Sequence, residues 1–277
     1  MKERIIVAAV FVPLLFIVMF FLPPYVFAAV VAVICAVSSY ELHHSIGQKG
    51  NERIGIYCVF AAVLIPVGVY FDTGLQVFTA VFLILMCLAF TEAIIGFRTI
   101  RRVTFPQIMT TLFGGAVIPF LLSCLISLRN MPDGRFFVLL PVISAFVTDG
   151  GAYFSGVIFG KRKAFPEVSP KKTVEGCIGG MVIGTAAIVL YGIVVYFSTL
   201  HDINVWALIL YGLVGAFVTE LGDLAFSLVK REYEIKDYGR LLPGHGGMLD
   251  RFDSMIFAAP ALYLLTTAIP AIIVYQS

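Results

Sequence analysis

Charge is what this 277-residue chain has least of. Asp, Glu, Lys and Arg together make up 13% of it, against about 25% in an ordinary soluble domain. Histidine occurs four times and tryptophan once. The five cysteines (Cys35, Cys58, Cys87, Cys124 and Cys177) are scattered, odd in number and never paired as CxxC. That pattern argues against a disulfide scaffold or a zinc site and reads as small apolar filler. No internal repeat, low-complexity linker or soluble domain stands out. What the chain does have is apolar surface: 60% hydrophobic residues and a mean hydropathy of +0.99, in one long run after another. This excludes a disordered chain and an ordinary cytosolic enzyme and leaves an all-α, polytopic integral membrane protein.

A spanning helix needs roughly 20 mostly apolar residues. Nine stretches qualify, at about 5–22, 25–40, 54–71, 75–97, 106–128, 136–159, 174–197, 204–227 and 253–274. Pro23-Pro24 breaks the first long run into two, because proline lacks a backbone donor and clashes with the preceding turn. Nine spans place the termini on opposite sides. With a cytoplasmic N-terminus, all of the 19 basic residues except Arg129 and Arg135 fall on the inside, as the positive-inside rule requires. The charged, apolar start also resembles a signal peptide, but its core is long and a second run follows at once, so an uncleaved first span is expected. The expected organisation is five N-terminal spans over 1–135 and a catalytic membrane domain over 136–277. The latter carries cytoplasmic loops at 160–173 and 228–252. The expected location is a bacterial inner membrane, with the site facing the cytoplasm.

An ionisable group at bilayer depth costs about 2.5–3.5 kcal/mol on insertion scales and marks a candidate functional site. Five carboxylates lie in the apolar runs: Glu92, Asp149, Glu175, Glu220 and Asp223. Glu175 opens a helix, where a carboxylate suits the dipole. Glu92 is within reach of Arg98 for an ion pair. Asp149 lies about 18 Å from the cytoplasmic end of its span at helical rise, near the midplane. Gly150 and Gly151 follow it and are expected to weaken the helix and admit a close neighbour. Glu220 and Asp223 share one helix face, beside Lys230. Two acids there suit a hard divalent cation; a proton or ion relay of the transporter kind is the other reading.

The densest chemistry runs from Ser227 to Asp253. Lys230, Arg231 and Lys236 form a cationic patch that could anchor to anionic lipid. Pro243-Gly244-His245-Gly246-Gly247 reads as a tight turn whose backbone N–H groups can surround an anion. Asp250 and Asp253 follow at i and i+3 at the start of the next helix, with Arg251 between them. A phosphate-cradling loop flanked by carboxylate pairs is the layout of metal-dependent phosphoryl or nucleotidyl transfer.

Ser227–Asp253 resembles the signature of phosphatidate cytidylyltransferase, also called CDP-diacylglycerol synthase. That pattern runs Ser-x-apolar-Lys-Arg, four residues, Lys-Asp-x-small, then His-Gly-Gly-apolar-x-Asp-Arg-apolar-Asp, and every fixed position is matched. Asp149-Gly150-Gly151-Ala152-Tyr153 with Phe159-Gly160-Lys161 is similar to the family's Asp-x-Gly-Ala-Tyr region, although Gly150 stands where a serine or threonine is frequent. Ser169-Pro170-Lys171-Lys172-Thr173-Val174-Glu175-Gly176 is similar to its Ser-Pro-Lys-Lys-Thr-x-Glu-Gly loop. The resemblance covers about 140–255; the N-terminal half shares only its apolar spans.

The resemblance implies the reaction of CTP with phosphatidate to give CDP-diacylglycerol and pyrophosphate, with Mg²⁺ and a second metal ion left open. It places the metal acids at Asp223 and Asp250; the residues themselves add Asp253 and Glu220 in support and Asp237 as a weaker candidate. Lys230, Arg231, Lys236, Arg251 and the His245-Gly246-Gly247 turn then serve the nucleotide phosphates. Lys171 and Lys172 serve the lipid headgroup, and Asp149 and Tyr153 line the inner wall. The expected partners are CTP, phosphatidate and the bilayer, with no nucleic acid; homodimerisation is left open. A polyprenol kinase, an ether-lipid cytidylyltransferase and an ion-coupled transporter are the alternatives.

Overall fold

The computed structural model describes residues 13–46, 52–99, 102–199, 202–241 and 246–273. Residues 13–20 are helical (α1). The following helices are α2 (Pro24–Ser45), α3 (Glu52–Tyr70), α4 (Gly74–Ile95), α5 (Phe105–Leu112), α6 (Ile118–Asn130), α7 (Gly134–Phe137), α8 (Leu139–Phe159), α9 (Val174–Thr199), α10 (Val205–Glu232) and α11 (Leu249–Ala268). A π turn, Phe113–Val117, joins α5 to α6.

Seven helical stretches among the described residues are long and apolar enough to cross a membrane. They match the second to eighth expected spans, and the chain is an all-helical, polytopic membrane protein. Most of the expected first span, with Lys2, Arg4, Lys49 and Arg101, lies outside the described residues. In place of the expected 253–274 span, α11 starts at Leu249, carries Asp250, Arg251 and Asp253 in its opening turns and ends at Ala268. It is not among the seven.

The chain divides into two compact units. One joins Met1–Ser127 with Tyr233–Phe252; the other joins Leu128–Glu232 with Asp253–Ser277. Residues 233–252 therefore pack with the N-terminal helices, whereas the expected division ran at 135/136.

In the first unit α3 packs between α2 and α4. Ile54, Ala61, Ile65, Val81, Leu85, Leu112 and Ala116 form its buried centre. The π turn contains Gly114-Gly115, which lie against Leu42, Cys58 and Leu85. A π turn leaves a carbonyl short of its helical donor, and the Ser39 hydroxyl donates to the Gly114 carbonyl. Glu92 meets Arg53 at 3.9 Å and accepts from the Tyr57 hydroxyl at 3.4 Å. The expected partner Arg98 is replaced by a residue of the adjacent helix.

In the second unit α8 and α9 are joined by a short antiparallel hairpin, β1 (Lys163–Phe165) and β2 (Ser169–Thr173). The two helices approach through small residues, because without a hydrophobic force between helices close van der Waals contact drives association. Gly176, Gly180 and Gly184 are buried at four-residue spacing on α9. A methyl group on them would meet Ala152 and Gly156, Ala152 and Thr148, or Thr148 and Ala216 respectively. Helix α8 runs unbroken through Gly150 and Gly151, so the expected local opening does not occur. Gly151 instead accommodates Ile183, while Gly150 has nothing within 4 Å of an added methyl. Neighbouring backbone carbonyls also satisfy two tyrosine hydroxyls: Tyr191 donates to the Phe136 carbonyl at 2.8 Å and Tyr211 to the Ile269 carbonyl at 2.7 Å.

These contacts separate two kinds of glycine. A methyl at Gly212 would lie 2.6 Å from the Thr185 Cα, so Gly212→Ile is expected to force α9 and α10 apart. Overpacking of this kind costs about 1–3 kcal/mol, read as a lower thermal midpoint in detergent. Gly150→Ala is expected to leave the midpoint unchanged or raise it, since alanine is favoured over glycine inside a helix by roughly 0.5–1 kcal/mol.

Candidate active site

The motif Ser169–Gly176 builds one wall of the second unit's polar region. Thr173 precedes α9 and accepts the Gly176 N–H on its hydroxyl oxygen at 3.1 Å, as a residue capping a helix N-terminus does. Glu175 does more than face the helix dipole. Its Oε2 accepts the N–H groups of Lys161 (3.0 Å) and Arg162 (3.2 Å), tying the start of the hairpin to the start of α9. The Val174 N–H donates to the Arg162 carbonyl at 2.9 Å. The hairpin is thus fixed at its base, and its lysines are held in place.

A cavity of about 540 Å³ opens beside it. Lys161, Lys163, Lys171 and Lys172 contribute positive charge, Asp149 and Asp223 negative charge, and Ala152, Tyr153 and Val157 an apolar side. Tyr153 and Val157 are also exposed on the outer face of α8.

Four carboxylates of this unit lie in one another's electrostatic field: Asp149, Glu220, Asp223 and Asp253. Two lysines answer them. The Lys172 Nζ lies 2.7 Å from the Asp223 Oδ2, and the Lys230 Nζ lies 3.9 Å from the Asp253 Oδ2. Burial works against the Lys172 ammonium, but Asp223 first, then Asp149 and Glu220, outweigh it and hold its pKa above the ordinary lysine value. Lys172 is therefore charged across the whole neutral range. Ser254 donates its hydroxyl to Asp149 at 3.4 Å and its N–H to Asp253 at 2.8 Å. Glu220 is buried, and its Oε1 has no hydrogen-bond partner. Gly180 makes room for that oxygen, which would lie 2.9 Å from an added methyl. The Arg231 Nε donates to the Val168 carbonyl in the hairpin turn at 3.2 Å.

The remaining expected site residues belong to the first unit. The Asp250 Oδ2 accepts the N–H groups of Tyr238 (2.8 Å) and Gly247 (2.9 Å). Gly246 sits beside it at φ +87°, with Asp237 also close; a positive φ of this size favours glycine. Lys236 and Arg251 are exposed. His245 lies outside the described residues.

Every oxygen donor in the acid cluster is a carboxylate. Among the described residues no three His, Cys, Asp or Glu side chains converge as a metal-holding group.

A family model described as "Cytidylyltransferase family" matches residues 2–269. The chain belongs to this cytidylyltransferase family. Its relatives include the phosphatidate cytidylyltransferase of Bacillus subtilis (strain 168), 39% identical over 187 residues, which are 67% of this chain and 66% of that protein. The phosphatidate cytidylyltransferase of Staphylococcus haemolyticus (strain JCSC1435) is 42% identical over 133 residues, 48% of this chain and 50% of that one. The Staphylococcus aureus (strain COL) protein of the same name is 41% identical over 133 residues, with the same coverage. The chain thus spans about half the length of the staphylococcal relatives it matches and 66% of the Bacillus one.

One residue with a clear structural part in the first unit is not singled out by the sequence. Glu41, buried near the end of α2, accepts the Leu249 N–H at 2.9 Å. The expected span stops at residue 40, whereas α2 continues to Ser45 and buries Glu41.

The Lys172–Asp223 pair yields a test of the cluster. Removing one member leaves a charge without its partner, which costs more than removing both. Lys172→Met is expected to lower the thermal midpoint in detergent, and Lys172→Met with Asp223→Asn to recover part of the loss. Additive effects of the two single changes would show that the pair is not coupled.

Proposed function

We propose that the chain transfers a cytidylyl group from CTP to phosphatidate, releasing pyrophosphate and forming CDP-diacylglycerol, at the cytoplasmic face of a bacterial inner membrane. The observation that carries this reading is the cavity beside the hairpin. Lysines and acids line it together, and an apolar side suits a lipid. A phosphate ester on two acyl chains matches all three. The names of the relatives and the Ser227–Asp253 pattern support the same substrates. The placement of basic residues along the sequence supports the orientation.

In this reading an oxygen of the phosphatidate phosphate attacks the α-phosphorus of CTP. The bond from the α-phosphorus to the bridging oxygen breaks, and pyrophosphate leaves with that oxygen. No side chain of the enzyme is acylated or phosphorylated, so the residues' task is to bring two polyanions together. Lys171 and Lys172 neutralise and orient the lipid phosphate. Lys230 and Arg231 serve the nucleotide phosphates, and the sequence pattern adds Lys236, Arg251 and the His245-Gly246-Gly247 turn. Asp149 and Tyr153 line the cavity.

The donor chemistry fits Mg²⁺, which takes one or two carboxylates and completes its shell with water and phosphate oxygens. The unpartnered Oε1 of Glu220 is a free acceptor of that kind. Asp223 would hold the ion, with Glu220 and Asp253 in support, and the resemblance adds Asp250. When bound, the ion would neutralise charge developing on the phosphate oxygens.

The direct test uses purified protein, Mg²⁺ and CTP labelled at either the α or the γ phosphate, with phosphatidate or a polyprenol as acceptor. Label from the α position on phosphatidate, matched by pyrophosphate, is the expected outcome. Label from the γ position on polyprenol would indicate a kinase, and no transfer to either lipid would remove the enzyme reading. Asp223→Asn and Asp250→Asn are each expected to lower turnover by about 100-fold, the upper range for loss of an interaction that supports a metal site, while the protein still purifies as a folded species. Near-normal turnover in either would refute its assignment.

A further inference from the structure

Glu41 stands where two electrostatic effects oppose a carboxylate. It is 5% exposed, and it lies in the second-to-last turn of α2, close to the negative end of the helix dipole. A charged group persists in such a place only with specific donors. Its donors come from the 233–252 segment of the same compact unit. The Leu249 N–H, the first of α11, donates to the Glu41 Oε2 at 2.9 Å. The first N–H groups of a helix lack partners within the helix, and its N-terminus carries partial positive charge. Glu41 therefore caps α11 from another helix, 208 residues away in sequence.

Gly239, at the signature's small position, and Gly247, one of its fixed glycines, let this happen. A methyl group on Gly239 would collide with the Glu41 Oε1, and one on Gly247 with the Oε2. Neither Gly239 nor Gly247 has a positive φ, so backbone conformation does not demand glycine at these positions. The close approach of the carboxylate does. Asp250 holds the same loop from the other side through the N–H groups of Tyr238 and Gly247. Glu41 and Asp250 together hold the backbone N–H groups of Tyr238, Gly247 and Leu249.

We infer that Glu41 is the positioning residue of the signature loop. It sets the backbone N–H groups around Gly246-Gly247 and the start of α11 before any nucleotide arrives. Its consequence for catalysis rests on the functional reading above. Its structural part does not.

The test is hydrogen exchange on the full-length protein in detergent without nucleotide, followed by kinetics. Glu41→Gln keeps the shape and removes the charge. It is expected to speed exchange across 246–252 by about tenfold, the scale of losing a hydrogen bond to a charged group. KM for CTP is expected to rise by a similar factor, about tenfold, while KM for phosphatidate stays within about twofold and Glu41→Asp recovers part of the effect. Should Glu41→Gln fail to fold, Gly239→Ala, which presses on the same carboxylate, is expected to give the same faster exchange. Unchanged exchange in the variant that folds, or equal changes in both KM values, would overturn the inference. A wild type that turns over no CTP would remove the functional reading, while the exchange measurement would still decide the role of Glu41.

Discussion

A carboxylate at the depth of a membrane helix must find a counter-charge, a proton or a ring of donors, and the second unit is arranged around that requirement. Asp149, Glu220, Asp223 and Asp253 lie on three helices, and their mutual repulsion opposes packing. Lys172, 2.7 Å from Asp223, reverses the balance. It does so only because the hairpin that carries it is fixed at its base by Glu175 and Thr173. The small residues between α8 and α9 serve the same end, since Gly176 and Gly180 let the hairpin base and Glu220 lie close against α8. Packing, hairpin and charge cluster are one device, and loss of any part exposes the acids to an uncompensated field.

The same device suits the proposed chemistry. A polyanionic substrate can take over lysines now engaged by acids, and the acids so released suit a hard cation. This accounts for a cluster that combines excess acids with lysines on a rigid base. A site built for one sign of charge would not bring both signs together in this way.

Much of this was legible in the sequence, for physical reasons that also explain the failures. Hydropathy locates the seven spans because bilayer thickness fixes helix length. The cost of burying charge singles out Asp149, Glu220 and Asp223, which do lie in one cluster. The same reasoning ended the second apolar run at residue 40 and so passed over Glu41, whose partners are 208 residues away. Glu92 was matched to Arg98 by nearness in sequence, but the neighbouring helix supplies Arg53. The short strands at 163–173 had no alternating pattern to announce them. Gly247 reads as a turn glycine and Gly239 as a small position; only the approach of Glu41 shows why a side chain is excluded there.

The account turns on Asp223 exchanging a lysine for a divalent cation when nucleotide is present. Binding of Mn²⁺, standing in for Mg²⁺, measures this without turnover, by the loss of the free-ion paramagnetic resonance signal as protein is added in the presence of CTP. The wild type is expected to take up the ion, and Asp223→Asn to bind it at least about tenfold more weakly. Equal uptake by the two proteins would contradict the account.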